Sequence, residues 1–122
     1  MAYTGTPVVR NQLLLLLEPR QQIRIDSGAW WVWLETAACF SYAPTHTVYR
    51  LTVRKEKRRH GDYWYAYLKN DSKLHNAYVG RSAALTSERL AQVMQKLLEK
   101  VDQQQRAQRL ARRDDHSSER GC

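Results

Sequence analysis

The sequence predicts an α+β fold in which an antiparallel sheet of three to five strands carries one long C-terminal helix on one face. Residues 48–79 alternate between apolar and polar side chains and are interrupted by short turn sequences, which is typical of an antiparallel meander. Residues 90–101 instead repeat apolar side chains at helical spacing. One apolar stripe on a helix is able to cover one face of such a sheet.

The chain of 122 residues is long enough for one domain with polar ends. We predict a lead-in over residues 1–20, a sheet-plus-helix domain over residues 21–101, and a polar helical extension with a disordered tail over residues 102–122. In the lead-in, the apolar run Leu13–Leu17 could form a helix or a strand, because periodicity does not separate the two over so few residues.

The same apolar run and the two cysteines bear on the cellular compartment. A membrane-spanning helix needs about 20 apolar residues, and Leu13–Leu17 is much shorter and has no cleavage-site pattern close behind it. Cys39 and Cys122 do not form a disulfide framework, which suits a reducing compartment. The sequence therefore predicts a cytoplasmic protein without a membrane partner.

Residues 23–42 predict two strands and the start of a third. Turn-forming residues at positions 26–28 end the first strand. The bulky run Trp30–Leu34 favours an extended conformation for the second. Phe40 and Tyr42 predict a third, short strand.

Three clearer strands follow at Val48–Lys57, Tyr63–Lys69 and Lys73–Val79, separated by short turns. Alternation in the middle strand puts two sets of side chains on opposite faces, namely Tyr63, Tyr65 and Tyr67 against Trp64, Ala66 and Leu68. Both faces are amphipathic. The sequence therefore leaves open which of them the helix covers.

The predicted helix has a well-marked beginning. Thr86 is a good N-cap, and Leu85 and Leu90 have the spacing of a hydrophobic staple. The apolar stripe consists of Leu90, Val93, Met94, Leu97, Leu98 and Val101. The sequence is polar beyond Asp102, so we expect the helix to continue into solvent as far as Arg113.

Charge and aromatic residues together predict nucleic-acid binding. The net charge is +8 and the pI about 9.8. Within Arg50–Arg59 alone, six Lys/Arg residues accompany a single acid, Glu56. Phosphates attract such cations, and bases stack on neighbouring aromatic rings. We therefore predict a non-enzymatic double-stranded DNA-binding protein, because a three-stranded sheet is narrow enough to enter a major groove.

The candidate contacts lie on the two strands and the turn between them. Arginine can bind guanine bidentately, threonine or tyrosine can contact phosphate, and the loop Lys55–His60 can present cations to phosphates. The predicted contact residues are Arg50, Thr52, Arg54, Lys55, Lys57, Arg58, Arg59, His60, Tyr63, Tyr65, Tyr67 and Lys73. A second basic group on the helical extension, which could follow a DNA backbone, consists of Arg106, Arg109, Arg112 and Arg113.

Other functional classes have less support in the sequence. The histidines His46, His60, His75 and His116 have no ligand spacing, and no nucleophile or phosphate-loop motif is present. We therefore predict no metal, no cofactor and no enzymatic activity. One alternative is a protein-interaction subunit of a larger nucleoprotein assembly, binding through Trp30, Trp31 and Trp33 or through Leu13–Leu17. Another is RNA or single-stranded DNA binding by tyrosine stacking.

Residues from about Tyr49 to Val101 resemble a small bacterial module found in LuxR-type and integrase-like proteins. The resemblance is carried by the run Tyr63–Tyr67, the Lys73-Leu74 pair, Tyr78, Gly80 and the stretch Leu85–Leu90. In plan the module is similar to the AP2-like DNA-binding fold of integrase N-terminal domains, a three-stranded sheet with one helix across it. The resemblance implies a DNA-associated role in a regulator or a mobile-element complex.

The chain departs from the module's pattern at three positions. Ser72 stands where the pattern has glycine, and the uncharged Asn76 and Ala77 precede Tyr78, where a basic residue is frequent. The third strand is therefore less basic than in the module.

Overall fold

A computed structural model describes residues 6–17 and 20–114 as a single sheet with two helices. The elements in chain order are β1 (Val8–Arg10), β2 (Leu13–Leu17), β3 (Arg20–Arg24), α1 (Gly28–Thr36), β4 (Cys39–Tyr42), β5 (Leu51–Arg58), β6 (Gly61–Asn70), β7 (Lys73–Gly80), a 3₁₀ turn (Ser82–Ala84) and α2 (Ser87–Asp114). Seven strands form the sheet, in the order β3-β2-β1-β4-β5-β6-β7.

The α+β class and the long C-terminal helix are confirmed, whereas the prediction of a purely antiparallel sheet with at most five strands is wrong. β1 and β4 pair in parallel, with Val8 opposite Ser41, and the other neighbours are antiparallel. The β2–β3 hairpin and α1 lie between β1 and β4 in the chain. The connection therefore crosses over before β4 and brings it back in the direction of β1.

The segment that the sequence analysis assigned to a lead-in contributes β1 and β2 to the sheet. Asn11 has a φ of 60°, and it allows the chain to turn between the two strands. Leu14 of β2 is fully buried and Leu16 packs against the core, so the leucine run supplies a strand of the sheet. Pro19, which follows this run, lies outside the described residues.

The run Trp30–Leu34 is helical, so the strand predicted there is wrong. The Ser27 side chain caps α1 by accepting a hydrogen bond from the Trp30 N–H at 3.3 Å. Trp30 and Leu34 are buried one helical turn apart, while Val32 is 65% exposed. A cap and a three-to-four-residue burial period outweigh the strand preference of tryptophan and valine.

Both helices lie on the same face of the sheet, and the core lies between them and the strands. Trp30 of α1 donates its indole N–H to the carbonyl of Leu85 at 2.8 Å, just before α2. Phe40 of β4 contacts both Trp30 and Trp64, with ring centroids 5.5 Å and 5.6 Å apart. This aromatic cluster joins the half of the sheet under α1 to the half under α2.

Helix α2 begins as predicted and runs along the edge strand β7. The Thr86 hydroxyl accepts a hydrogen bond from the Arg89 N–H at 3.0 Å, and Leu85 and Leu90 are fully buried. Arg89 and Lys100 donate side-chain hydrogen bonds to backbone carbonyls of β7, which protects this sheet edge from further pairing. No helix within residues 6–17 and 20–114 has the length and apolar composition that a membrane crossing needs. The tail over residues 115–122, predicted to be disordered, lies outside the described part.

Replacing Gly80 by alanine is expected to lower the free energy of unfolding by about 2 kcal/mol. Gly80 has a φ of +134°, and an added Cβ would stand 2.8 Å from the Cβ of Ala84. Gly28→Ala is the matched control, because no described atom lies within 4 Å of its added Cβ and alanine favours helix α1. Urea unfolding of both variants makes the comparison, and equal stabilities would contradict this account of Gly80.

Candidate nucleic-acid interface

The sheet face opposite the helices is not covered by any described element, and it is the face that carries the tyrosines. Trp64 and Ala66 are fully buried beneath the helices and Leu68 is 2% exposed. Tyr63, Tyr65 and Tyr67 alternate with them and are half-buried on the other side. The structure thus decides the orientation that the sequence left undecided. We call this side of the sheet the open face.

Cross-strand register places predicted contact residues beside one another on the open face. Arg54 lies opposite Tyr65, which in turn lies opposite Tyr78. Thr52 lies opposite Tyr67 in the adjacent row. The cationic and aromatic side chains that the sequence analysis singled out on these two strands are therefore direct neighbours.

Cations on the open face come from both halves of the sheet. Arg10 of β1 and Arg24 of β3 are exposed and flank Leu13 of β2 in one cross-strand row. By strand alternation, the basic residues on this face or directly beside it are Arg10, Arg20, Arg24, Arg50, Arg54, Arg58 and Lys69. Among the described strand residues of the face, Glu56 is the one carboxylate. The cations of this face outside residues 50–59 were not predicted, because only the seven-strand register brings them together.

Glu56 is held by two partners on this face. Its carboxylate accepts a hydrogen bond from the Tyr67 hydroxyl and forms an ion pair with Arg58. The hydrogen bond from Tyr67, together with Arg58, holds the pKa of Glu56 below its ordinary value. The same hydrogen bond raises the pKa of Tyr67, because the ionised carboxylate opposes a second negative charge beside it.

The remaining tyrosines form an aromatic cluster with cations at each end. The Tyr78 ring lies 5.4 Å from that of Tyr65 and 6.1 Å from that of Tyr63. The guanidinium carbon of Arg58 lies 4.9 Å from the centre of the Tyr65 ring. Arg81 covers Tyr63 at the same distance and also donates to the His60 carbonyl at 3.0 Å. Tyr78 and Arg81 were not predicted as contacts, and both lie outside the strands on which the basic run occurs.

The end of the β5–β6 hairpin projects beyond the neighbouring strands. β4 pairs only with positions 51–54, and β7 reaches Trp64, so positions 56–63 pair with one another among the described strands. Arg59 and His60 form the turn, followed by Gly61 with a φ of +134°. Lys57, Arg58 and Arg59 are exposed at this end. A two-stranded ribbon results that carries three cations.

Three predicted contact residues, Lys55, Lys57 and Lys73, lie on the other side of the sheet by strand alternation, Lys57 at the hairpin end. The Lys55 ammonium donates hydrogen bonds to the carbonyls of Leu34 and Glu35 at 2.8 Å and 3.1 Å, and lies 5.3 Å from the Trp64 ring centre. It therefore caps the C-terminus of α1, where the helix dipole favours a cation. Lys73 is exposed and lies on the same face of β7 as the residues that are buried beneath α2. The basic run is thus divided between the open face, the hairpin end and a helix cap.

Replacing Lys55 by methionine is expected to lower the free energy of unfolding by about 1 kcal/mol, with no loss of affinity for nucleic acid. Lys57→Met is the matched control, because Lys57 is exposed two residues further along the same strand. It should leave stability unchanged and weaken binding. Thermal melts and fluorescence anisotropy on the two variants test this, and weaker binding by the Lys55 variant would reverse the assignment.

Glu56 predicts a pH dependence of stability. Because its pKa is lowered on folding, the ionised carboxylate stabilises the fold above its unfolded-state pKa of about 4.3. This contribution is lost as pH falls through the folded-state value. Between about pH 6 and pH 3, the Tm of the wild type should therefore fall further than that of Glu56→Gln. Parallel curves for the two proteins would show that Glu56 gains nothing from Tyr67 and Arg58.

The residues predicted to bind a protein partner are only partly exposed. Trp30 is fully buried, and Trp33 stacks on it with ring centroids 5.8 Å apart. Trp31 is half-buried on α1, and Leu14 within the leucine run belongs to the core. A protein partner remains a prediction. The side chains of Trp30 and Leu14 are buried in the core, so they cannot contact a partner.

The basic extension of α2 is exposed over its described side chains. Arg106 pairs with Asp102 at 3.0 Å, one helical turn earlier, and Arg109 is exposed. The side chains of Arg112 and Arg113 lie outside the described part of the chain. Within the described residues, no three His, Cys, Asp or Glu side chains come together in a way that could hold a metal ion.

Fold and surface together define an α+β protein with a mixed seven-stranded sheet and a basic, aromatic open face. No protein-family model, curated protein or solved structure matches the chain. The resemblance to the bacterial module and to the AP2-like plan therefore remains a prediction.

Proposed function

We propose that this chain is a non-enzymatic protein that binds double-stranded DNA through the open face and the projecting end of the β5–β6 hairpin. The observation that carries the proposal is the charge distribution on the open face. Cations from four strands share this face with a single carboxylate among the described strand residues, and that carboxylate already pairs with Arg58. Such a surface favours a polyanion, because phosphate contacts supply most of the affinity for duplex DNA.

The width of the sheet determines how a duplex would lie on it. Seven strands at about 4.8 Å spacing span about 29 Å, whereas a major groove is about 12 Å wide. The whole sheet is thus too wide for the groove, but the two-stranded hairpin end fits. We infer that Arg58 and Arg59 enter the groove at this end while Arg50 and Arg54 hold phosphates. A place in a regulatory or mobile-element complex follows from the sequence resemblance alone.

Salt-dependent fluorescence anisotropy with a blunt duplex of about 20 base pairs tests the proposal. We expect binding in the micromolar range at low salt and a steep fall in affinity as salt rises, because binding releases counterions from the DNA and added salt opposes that release. The slope of log affinity against log salt measures the number of phosphates engaged. Affinity no better than about millimolar at low salt would overturn the proposal.

Single-stranded DNA or RNA is the second candidate ligand, and the exposed ring of Tyr78 favours it. This ring is 48% exposed and packs against Tyr63 and Tyr65, so one side of the cluster is available for stacking on a base. Tyr78→Ser distinguishes the two ligands. If the second candidate is correct, this variant loses affinity for a single strand and keeps its affinity for the duplex.

A further inference from the structure

A cleft of about 600 Å³ lies on the open face, at the end remote from the turn between β5 and β6. The chain leading into β5 forms one wall, where Val48 is 95% exposed. Leu74 of β7 forms another and is 57% exposed. Thr52 and Tyr67 lie between them. Duplex binding through phosphate contacts makes no use of the apolar walls of this cleft.

The lining of the cleft combines apolar walls with positive charge. Arg50, Arg54 and Lys69 line it, and no carboxylate does among the described residues. Val48 and Leu74 are among the most exposed large apolar side chains of the described chain. Apolar surface that is left in water beside convergent cations marks a site for an amphipathic anion.

We propose that this cleft binds one unpaired nucleotide next to a DNA duplex, with the base against Val48, Leu74 and the Tyr67 ring and the phosphate on the cations. This inference rests on the proposed function for the location of the duplex. A base within a duplex has both faces covered by its neighbours, so it cannot use the apolar walls. An unstacked base has free faces that can pack on them.

Tyr67 is suited to serve as part of this wall. Its hydroxyl is held by Glu56, so the ring is fixed at the boundary between the cleft and the hairpin side of the open face. The carboxylate that binds the hydroxyl is already paired with Arg58, which reduces its repulsion of a phosphate. The arrangement therefore favours duplex DNA with a single-stranded extension over a blunt duplex of equal length.

The test compares a blunt duplex with the same duplex carrying a four-nucleotide single-stranded extension, in the wild type and in Val48→Thr/Leu74→Thr. Both positions are exposed, and threonine suits the strand position of Leu74, so the variant should fold; circular dichroism and the Tm verify it. We expect the extension to raise wild-type affinity at least fivefold. The double variant should lose that gain and bind the blunt duplex within twofold of wild type. Val32→Thr, exposed on α1, should retain the gain.

A second measurement separates this inference from the proposed function. Chemical-shift titration with deoxyadenosine monophosphate, deoxyadenosine and inorganic phosphate tests the cleft without any duplex. Saturable shifts at Leu74 with the monophosphate, at least fivefold tighter than with either part alone, support the cleft even if blunt duplex binding fails. Blunt duplex binding without any gain from the extension, or a gain that persists in the double variant, overturns the inference and leaves the proposed function standing.

Discussion

Replacing Trp30 by alanine is expected to lower the free energy of unfolding by about 4 kcal/mol, a large share of the roughly 5–15 kcal/mol typical of a domain. The Trp30 side chain is fully buried and contacts the rings of Trp33 and Phe40. Its removal creates a cavity where the two halves of the core meet. It also leaves the buried carbonyl of Leu85 without its 2.8 Å donor.

Two further variants separate these causes. Trp30→Phe keeps most of the ring packing but removes the N–H donor, so it should cost about 1–3 kcal/mol. Val32→Ala lies on the exposed side of the same helix and should change stability by less than about 0.5 kcal/mol. Urea unfolding measures all three. A Trp30→Ala cost below about 1 kcal/mol would mean that the aromatic cluster is not part of the core.

The sequence was most informative where local signals agree with tertiary packing. At the start of α2, the Thr86 cap, the Leu85–Leu90 pair and the apolar stripe all indicate one helix, and each of them packs as expected. Strands β5 to β7 were predictable for the same reason. Their alternation is continuous, and their turns are short.

Helix α1 was missed because its local signals conflict. Tryptophan and valine favour strands, and nine residues are too few for a clear helical period. The decisive contacts of Trp30, with the Leu85 carbonyl and with Phe40, come from residues outside the helix, and Leu85 is distant in the chain. The parallel pairing of β1 with β4 was missed likewise, because it joins segments that are far apart in the chain and has no local signature.

In the candidate site, too, the features with a local sequence signal were predictable and those that depend on distant residues were not. Alternation correctly set the tyrosines apart from Trp64. Alternation could not show that Lys55 caps α1, because that role depends on the carbonyls of Leu34 and Glu35. Fewer of the cations within residues 50–59 are therefore available to a ligand at the hairpin than their number in the sequence suggests.

Neutralising Arg50, Arg54 and Arg58 together, each to glutamine, is expected to weaken duplex DNA binding by about 100-fold at low salt, because each of these contacts, two to phosphates and one in the groove, contributes on the order of 1 kcal/mol. The slope of log affinity against log salt concentration should become shallower by about 0.9 for each phosphate that the variant leaves without a cation. All three are exposed on the open face, so the change should leave the core intact, and the Tm verifies this. Anisotropy across a salt series measures both quantities.

The matched control is Lys96→Gln/Arg106→Gln/Arg109→Gln, which changes the net charge by the same amount on exposed positions of α2. It also tests the described part of the basic extension, which the proposed function leaves without a DNA contact. At 0.1 M salt it should weaken binding by less than about fivefold, since attraction by net charge alone is screened within about 10 Å at that salt concentration. Glu56→Gln should act in the opposite direction and strengthen binding several-fold, because it removes the carboxylate of the open face and releases Arg58. Equally weakened binding in the two triple variants, together with no gain from Glu56→Gln, would show that DNA senses only the overall charge and not this face of the sheet.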